Sequence, residues 1–147
     1  MTSTETIRPG EIATTLPERP DAEVYFIGRI RTPWPTRDLC PRQGEPTGPE
    51  CRIELDARWE QALQGLAACP RLQVLYWMHE ARRDLLVQNP RVSGQPCGTF
   101  ALRSPVRPNP IASSVVELMS VSGNVVIVRG LDCLDGTPLI DLKPARD

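Results

Sequence analysis

The sequence predicts a mainly β protein in which a largely antiparallel sheet curls into a barrel and carries one short helix. Three observations support this fold class. Several apolar runs have the length of strands, turn residues separate the later runs, and sixteen prolines among 147 residues disfavour helices. A chain of this length forms one domain with a substantial hydrophobic core.

The first 22 residues predict a flexible N-terminal arm outside the barrel. They contain Pro9, Pro17 and Pro20, four acidic residues and little periodic hydrophobicity. The pattern changes at Val24, where β-favouring residues begin. The barrel domain is therefore predicted to span residues 23–147.

Local periodicity predicts the first strands and the helix. Residues 24–31 alternate between two faces, whereas residues 32–50 hold five prolines and two glycines and predict a long loop. A short strand at 51–55 comes next. Asp56 then stands at the N-cap position of a helix that ends before Pro70. The apolar face of this helix comprises Trp59, Ala62, Leu63 and Leu66.

The second half of the chain predicts further strands separated by turns. Runs of β-favouring residues lie at 72–78, 98–103, 114–120, 125–129 and 139–142. Ser122-Gly-Asn124 is typical of a turn, and Asp135-Gly136 is typical of a hairpin. Short strands separated by turns, with only one helix, indicate an antiparallel sheet that closes on itself.

Composition bears on where the protein is located in the cell and on whether it forms disulfides or binds a metal. No apolar run approaches the ~20 residues of a membrane span, and the N-terminus lacks the apolar core of a signal peptide. We therefore expect a cytoplasmic protein without a membrane segment. Five cysteines form no C-x-x-C pair and accompany a single histidine, so reduced thiols and no metal site are expected.

The charge pattern leaves two interpretations of the arginines open. The net charge of −1 gives no support to nucleic-acid binding. Sixteen of the 17 basic residues are arginine, however, and Arg29, Arg31, Arg37 and Arg42 fall in one short segment. Arginine pairs with phosphates and stacks on bases, which suits an RNA surface. Codon bias explains the same composition equally well.

A proline-rich stretch, RSPVRPNPI from Arg103 to Ile111, follows the predicted strand that Arg103 ends. Each proline fixes its own φ and restricts the residue before it, so Asn109 between two prolines is held in a nearly fixed pose. Rigid placement of Arg103, Arg107 and Asn109 suits preorganised recognition, although a stiff connector has the same pattern. The sequence contains no Rossmann fingerprint, Walker loop, H-E-x-x-H motif or serine elbow.

The run GTFALRSPVRPNPIASSVVEL, from Gly98 to Leu118, strongly resembles the TrmO (YaeB-like) methyltransferase family. Four other segments agree in the same order along the chain: IGRIRTP from Ile27, PRQ from Pro41, LYWMHE from Leu75, and LDCLDGTP from Leu131 leading to DLKP from Asp141. The match covers about residues 24–144. Five collinear motifs make chance similarity very improbable.

This resemblance implies a fold, a cofactor and a substrate. The fold is a single-sheeted antiparallel β-barrel that binds S-adenosyl-L-methionine, usually as a homodimer. The implied reaction is methylation of N6 of N6-threonylcarbamoyladenosine, which lies beside the anticodon of certain tRNAs. The implied cofactor-binding residues are Pro41, Arg42, Gln43, His79, Glu80, Arg103, Ser113, Leu131, Asp132, Leu134 and Asp135.

Simple chemistry accounts for most of these positions. Arg42 and Arg103 can pair with the methionine carboxylate of the cofactor, and backbone groups near Leu131 can contact the adenine edge. The acceptor nitrogen must lose a proton during methyl transfer, and positioning supplies much of the catalysis. Candidates for catalytic residues are His79, Asn109 and Asp135, between which the sequence does not choose. Arg107 and Asn109 are also candidates for binding the substrate.

Two departures from the family pattern leave alternatives open. Ala145 stands where an aromatic residue is expected after Lys143-Pro144, and the second, C-terminal domain of longer members is absent. We therefore keep two alternatives. The chain is either a non-catalytic S-adenosylmethionine-binding regulatory or interaction barrel, or a methyltransferase for a different substrate.

Overall fold

The computed structural model describes residues 7–90 and 94–146. The chain divides into two compact units. The larger unit contains Val24–Met78 and the chain from Ile111 onwards, and the smaller unit contains the N-terminal segment up to Glu23 and His79–Pro110. The division predicted from the sequence, an arm over residues 1–22 and one barrel domain over 23–147, stays a prediction.

The larger unit is a closed antiparallel barrel of six strands. Its strands are β2 (Gly28–Arg31), β3 (Glu50–Leu55), β4 (Arg71–Trp77), β7 (Ile111–Ser122), β8 (Val125–Arg129) and β9 (Thr137–Pro144). Their order around the barrel is β2-β3-β8-β7-β4-β9, and β9 pairs with β2 to close it. The predicted mainly β fold with an antiparallel barrel is confirmed.

Alternation of buried and exposed residues along the strands creates the barrel core. In β4 every second side chain is buried, namely Leu72, Val74 and Tyr76. The same period of two in β3 and β8 contributes Ile53 and Val126, both fully buried. Burial of these apolar side chains is the main source of barrel stability.

Two of the loops that connect the barrel strands lie at the same end of the barrel. The strand registers place the end of β2 next to the start of β3, and the end of β8 opposite the start of β3. The same end of the barrel also contains the start of β9, the start of β7 and the end of β4. Residues 32–49 and 130–136 therefore lie at this end, which we call the loop end.

The predicted short helix is present as a 3-10 helix over Ala57–Leu63. Further 3-10 turns occur at Arg37–Leu39, Leu66–Ala68 and Thr99–Ala101. Asp56 stands at the predicted N-cap, but its side chain makes no capping hydrogen bond. Gly65, with φ of 89°, interrupts the helix before the Leu66 turn. The pieces Ala57–Leu63 and Leu66–Ala68 both lie between Asp56 and Pro70, where the apolar spacing predicted the helix.

Two of the predicted turns have different outcomes. Gly123 and Asn124 connect the paired strands β7 and β8 and form the expected turn. Asp135-Gly136 also forms a turn, but the prediction of a hairpin is wrong. The strands on either side of it, β8 and β9, are not neighbours in the barrel, because β9 pairs with β2 and β4 instead.

The smaller unit contains a three-stranded sheet that the sequence did not predict. Its strands are β1 (Ile12–Ala13), β5 (Leu85–Gln88) and β6 (Cys97–Gly98), in the order β1-β5-β6. The strand predicted at 98–103 is wrong, since the chain forms a 3-10 turn directly after Gly98. Arg103 therefore does not end a strand. Such short strands depend on long-range pairing, which local periodicity does not reveal.

Part of the predicted arm is joined to this smaller sheet. The Glu11 carboxylate accepts hydrogen bonds from the backbone N–H groups of Asn89, at 2.8 Å, and Arg8, at 2.9 Å. The Arg8 guanidinium donates to the carbonyls of Asn89 and Pro90. Burial opposes ionisation of Glu11, but these backbone bonds outweigh it and lower its pKa. Residues 1–6 of the predicted arm lie outside the described residues.

We predict that Asp84→Asn destabilises the protein at neutral pH but not in acid. The Arg82 guanidinium donates two hydrogen bonds to the Asp84 carboxylate, at 2.7 and 3.1 Å, and this pairing lowers the Asp84 pKa below 3.8. A lowered folded-state pKa stabilises the protein above the unfolded pKa, and the stabilisation is lost as pH falls through the folded pKa. We expect a loss of about 1–2 kcal/mol at pH 7.

Urea unfolding at pH 7 and at about pH 3 measures this difference. Asp21→Asn, at an exposed position, serves as the matched control. An equal destabilisation by Asp84→Asn at both pH values would contradict the prediction.

Candidate functional site

Two segments predicted to bind a cofactor are brought together at the loop end of the barrel. Gly44 directly follows the Pro41–Gln43 segment and packs against the start of the 131–135 segment. A Cβ atom at Gly44 would lie 1.8 Å from the Gly130 carbonyl oxygen and 3.0 Å from the Leu131 carbonyl carbon. Only glycine fits so close an approach of two backbones. The barrel thus positions these two segments side by side.

Hydrogen bonds connect the 131–136 loop to the residues that follow β2. The Asp135 carboxylate accepts the Thr32 N–H at 3.0 Å, and the Thr32 hydroxyl donates to the Cys133 carbonyl at 2.8 Å. The Asp135 N–H donates to the Trp34 carbonyl at 2.8 Å, and the Gly136 N–H donates to Ile30. Side-chain and backbone bonds together hold this loop in one conformation.

A buried tyrosine positions a second carboxylate of the same loop. The Tyr76 hydroxyl donates to the Asp132 carboxylate at 3.1 Å and lies 2.8 Å from the Ser114 hydroxyl. Tyr76 is only 3% exposed. Burial, followed by the negative charge of Asp132, raises the Tyr76 pKa far above its usual value. Tyr76 therefore stays protonated and acts as a permanent donor to Asp132.

Ser113 and Ser114 face opposite sides of β7. Ser113 was predicted to lie near the cofactor, but its hydroxyl accepts a hydrogen bond from Gln73 at 3.0 Å, on the face of the sheet opposite to Ser114. Ser114 shares the Tyr76 hydroxyl with Asp132. The structure therefore connects Ser114, which the sequence analysis did not select, with the 131–135 loop.

The remaining barrel residues of the predicted site differ in exposure. Leu131 is 2% exposed and packs in the core, so only its backbone is available to a ligand. Leu134 and Asp132 are half-buried. Pro41, Arg42 and Gln43 are all exposed. The loop end thus presents an exposed basic residue and two carboxylates that are fixed by hydrogen bonds.

In the smaller unit, a buried polar network supports the proline-rich stretch. The Gln88 amide donates to the Thr99 hydroxyl at 2.9 Å and to the Val106 carbonyl at 2.7 Å. The Thr99 hydroxyl in turn donates to the Leu85 carbonyl at 2.7 Å. Gln88 and Thr99 are both buried. Buried amides require such partners, so the network holds the stretch against β5.

The predicted site residues of the proline-rich stretch differ in exposure and in their contacts. Arg103 and Asn109 are exposed. The Arg107 guanidinium donates to the carbonyls of Leu102 and Ser104, at 2.9 and 3.0 Å. Arg107 therefore braces its own loop, and the assignment of Arg107 to substrate binding stays a prediction.

His79 and Glu80 follow β4 directly. The His79 Nε2 atom lies 3.8 Å from a Glu80 carboxylate oxygen, and both side chains are substantially exposed. A contact between two such exposed side chains contributes little to stability. Their roles in cofactor binding, and that of His79 in catalysis, stay predictions.

Two of the five cysteines are buried and unreactive. All five are free thiols. Burial raises the pKa of Cys51 to about 11 and that of Cys133 to about 12, so both stay protonated and unreactive at neutral pH. Among the described residues, no group of three or more metal-binding side chains comes together. The described part of the chain also has no helix long and apolar enough to cross a membrane.

The residues that support the candidate site were not predicted from the sequence. Tyr76 belongs to a predicted strand, and its position in the inward-facing series with Leu72 and Val74 was a usable signal for burial. A buried tyrosine needs a partner for its hydroxyl, which predicts a polar contact but not its identity. Gln88 and Thr32 carried no comparable signal, because their partners are remote in sequence.

Comparison with known proteins places the chain in a family. It matches the family model of the tRNA-methyltransferase O N-terminal domain over residues 29–146. It is 52% identical over 140 residues to the probable S-adenosyl-L-methionine-binding protein VirR of Rhizobium radiobacter, a match that covers 95% of this chain and 80% of VirR.

Two further matches are longer proteins. The tRNA (adenine(37)-N6)-methyltransferase of Escherichia coli (strain K12) is 38% identical over 129 residues, which cover 80% of this chain and 55% of that enzyme. A crystal structure of TrmO from Pseudomonas aeruginosa superimposes with a TM-score of 0.69 at 32% identity, covering 85% of this chain and 56% of that one. The chain therefore spans about half the length of both.

The fold and the paired loops define a small antiparallel barrel domain with its candidate site at one end. The chain belongs to the family of the tRNA-methyltransferase O N-terminal domain. The family predicted from the five sequence motifs is confirmed.

We predict that Gly44→Ala loosens the contact between the two loops. The added methyl group has no space beside the Gly130 carbonyl, so one backbone must move, at a cost on the order of 1–3 kcal/mol. Hydrogen exchange of the Leu131–Asp135 amides is expected to accelerate. Gly98→Ala is the control, since a Cβ atom there meets nothing within 4 Å. Unchanged exchange in Gly44→Ala would contradict the close packing.

We also predict that Tyr76→Phe destabilises the barrel by about 1–2 kcal/mol, because Asp132 and Ser114 lose a shared partner. Chemical denaturation measures the loss. Tyr25→Phe removes the same atom at a position that is 81% exposed, and we expect a change below about 0.5 kcal/mol. Equal effects of the two variants would show that the Tyr76 hydroxyl bonds are not stabilising.

Proposed function

We propose that the chain is an S-adenosylmethionine-dependent methyltransferase that acts on N6 of N6-threonylcarbamoyladenosine beside the anticodon of tRNA. The observation that carries this proposal is the packing of the Pro41–Gly44 segment against the 130–135 loop at one end of a barrel of this family. The predicted cofactor agrees with the names of the relatives, among them VirR. The predicted reaction class agrees with the name of the Escherichia coli enzyme.

The residues at the loop end fit this cofactor chemically. Its carboxylate requires a basic partner, and Arg42 is exposed on the loop. Its ammonium group and ribose hydroxyls require acceptors, and the Asp132 and Asp135 carboxylates are oriented there by Tyr76 and Thr32. Arg103, in the smaller unit, is assigned to the cofactor by the family resemblance and is tested separately.

When bound, the cofactor supplies an activated methyl group on a sulfonium. The contribution of the protein is to hold donor and acceptor at the distance and angle of in-line transfer. Carboxylates fixed by hydrogen bonds, such as Asp132 and Asp135, suit this role because they need no reorganisation. The acceptor N–H proton leaves to a base or to water. His79, Asn109 and Asp135 stay the candidates for accepting this proton or holding the base edge.

The proposal includes a location and an oligomeric state. We propose that the protein works in the cytoplasm, where its tRNA substrate is found, and that it forms a homodimer. Exposed apolar side chains on the outer face of β7, Ile111 and Val115, support self-association. Static light scattering measures the mass, and a monomer at micromolar concentration would overturn the dimer.

A specific observation favours a second candidate function. The chain is 52% identical to VirR and covers 80% of it, and the name of VirR states cofactor binding without methyl transfer. In this second candidate function, the chain is a barrel that binds S-adenosylmethionine for regulation or interaction and does not transfer the methyl group. A methyltransferase with another substrate is the remaining alternative.

The decisive experiment incubates the purified protein with methyl-labelled S-adenosylmethionine and hypomodified tRNA carrying threonylcarbamoyladenosine, followed by mass spectrometry of the nucleosides. We expect a methylated threonylcarbamoyladenosine. Cofactor binding without methyl transfer to any tRNA would favour the barrel that only binds the cofactor. In a parallel incubation with a cell extract in place of tRNA, a labelled small molecule would favour a methyltransferase with another substrate.

Arg103→Ala tests the residue assigned from the smaller unit. We expect at least about tenfold weaker cofactor binding by calorimetry, because a charge-assisted hydrogen bond contributes on the order of 1.5–3 kcal/mol. Arg19→Ala is the matched control, since Arg19 is also exposed and lies in the same unit. Unchanged binding in Arg103→Ala with an intact fold would remove Arg103 from the site.

A further inference from the structure

Two arginines stand directly opposite each other on the outer face of the barrel. Arg31 of β2 and Arg52 of β3 are register partners, and both side chains are about half exposed, at 47% and 57%. Directly opposed side chains in a sheet have Cβ atoms roughly 5 Å apart, and like charges in this position are destabilising. Such a pair is therefore unfavourable unless a negative group lies near it.

One carboxylate compensates this pair only in part. Glu54 contacts Arg31 at 2.9 Å and Arg52 at 3.3 Å through its two oxygens. Arg29, the next outward residue of β2, adds a third guanidinium. Glu50, the next outward residue of β3 beside Arg52, pairs with Arg129 of β8 at 3.4 Å. The four guanidinium groups of Arg29, Arg31, Arg52 and Arg129 exceed the three carboxylates of Glu50, Glu54 and Asp135, so this surface keeps a positive charge.

The same arginines border the candidate site. The Arg29 guanidinium lies 3.4 Å from the Gly136 carbonyl, to which it donates. The Arg31 Nη1 atom lies 3.6 Å from the place that a Cβ at Gly136 would occupy. Gly136 ends the loop that carries Asp132 and Asp135, so the positive surface is continuous with the loop end of the barrel.

Exposed aromatic residues extend this surface. The Arg29 guanidinium lies 5.9 Å from the centre of the Phe26 ring. Phe26 is 40% exposed, and the adjacent Tyr25 is 81% exposed. Guanidinium planes and aromatic rings both stack on unpaired bases, which is how proteins bind single-stranded RNA loops.

We propose that Arg29, Arg31 and Arg52, with Tyr25 and Phe26, form the surface that binds the RNA substrate, and that the Arg31–Arg52 pair contacts its phosphates. This inference rests on the proposed function, because it assigns the RNA to the same end of the barrel as the cofactor loops. A phosphate between Arg31 and Arg52 would relieve their mutual repulsion, and guanidinium groups pair with phosphate oxygens in bidentate fashion.

The test measures binding of the full-length protein to an unmodified tRNA transcript by fluorescence anisotropy, over a range of salt concentrations. We expect Arg31→Gln/Arg52→Gln to bind on the order of tenfold or more weakly near 0.1 M salt. The slope of log K against log salt should fall by about two, one for each phosphate contact. Arg19→Gln, which removes one exposed charge outside the barrel, should change both quantities far less.

Glu54→Gln is a second variant, and its expected effect on tRNA affinity is opposite to that of the double arginine variant. Removing the shared carboxylate should tighten tRNA binding at least severalfold, while the melting temperature falls because the arginine pair loses its partner. A merely structural role of Glu54 would lower stability without tightening binding. This variant keeps the inference testable if the double arginine variant does not fold.

The outcomes separate this inference from the proposed function. Wild-type protein that binds S-adenosylmethionine but no tRNA would overturn the proposed tRNA substrate and this surface together. Wild-type protein that binds tRNA, with the double variant binding equally well or losing no more than Arg19→Gln, would overturn the surface alone. Displacement of tRNA by poly-L-glutamate as readily as by another RNA would show a general polyanion surface, which also contradicts the assignment.

Discussion

Closure of the barrel by β9 is the constraint on which the candidate site depends. Leu139 is fully buried and is the register partner of Gly28 on one side and of Tyr76 on the other. On the β3 side, Gly28 allows β2 to approach closely, because a Cβ atom there would lie 2.3 Å from the Glu54 carbonyl oxygen. Once β2, β9 and β4 are joined in this register, the loops 32–49 and 130–136 emerge at the same end. The strands therefore determine where the loops lie, and hydrogen bonds of side chains such as Thr32 and Tyr76 then fix the loop conformation.

The loop that carries Asp132 and Asp135 is held by different physical means at its two ends. Tyr76 reaches Asp132 from inside the barrel, where burial keeps its hydroxyl protonated, whereas Thr32 contacts Asp135 through a backbone N–H. Both arrangements orient the carboxylates before any ligand arrives. Preorganised charges of this kind are more effective than mobile ones, since no binding energy is spent on ordering them.

The sequence allowed prediction of the barrel strands because their signal is local. The alternation in 72–78 and the apolar run at 125–129 predicted β4 and β8 nearly to the residue. Prediction failed where the structure depends on remote partners. The segment 98–103 has strand-like composition, yet Thr99 turns the chain by donating to the Leu85 carbonyl. The same limit applies to the candidate site. Exposed motif residues such as Arg42 were assigned to it from the family pattern, whereas Tyr76, Ser114 and Thr32 act through contacts that only the fold creates.

The arginine surface shows how charge pattern and fold must be combined. In the sequence, the arginines at 29, 31, 37 and 42 had two equally good explanations, RNA binding and codon bias. The fold places Arg29 and Arg31 on β2 and Arg37 and Arg42 in the loop that follows it, adds Arg52 from the neighbouring strand, and leaves Glu54 between two guanidinium groups. Codon bias explains why a basic residue is arginine rather than lysine, but it does not explain why two of them are directly opposed on one face. A cross-strand repulsion beside the loop end is a cost in the isolated protein, and a bound polyanion is the simplest group that removes it.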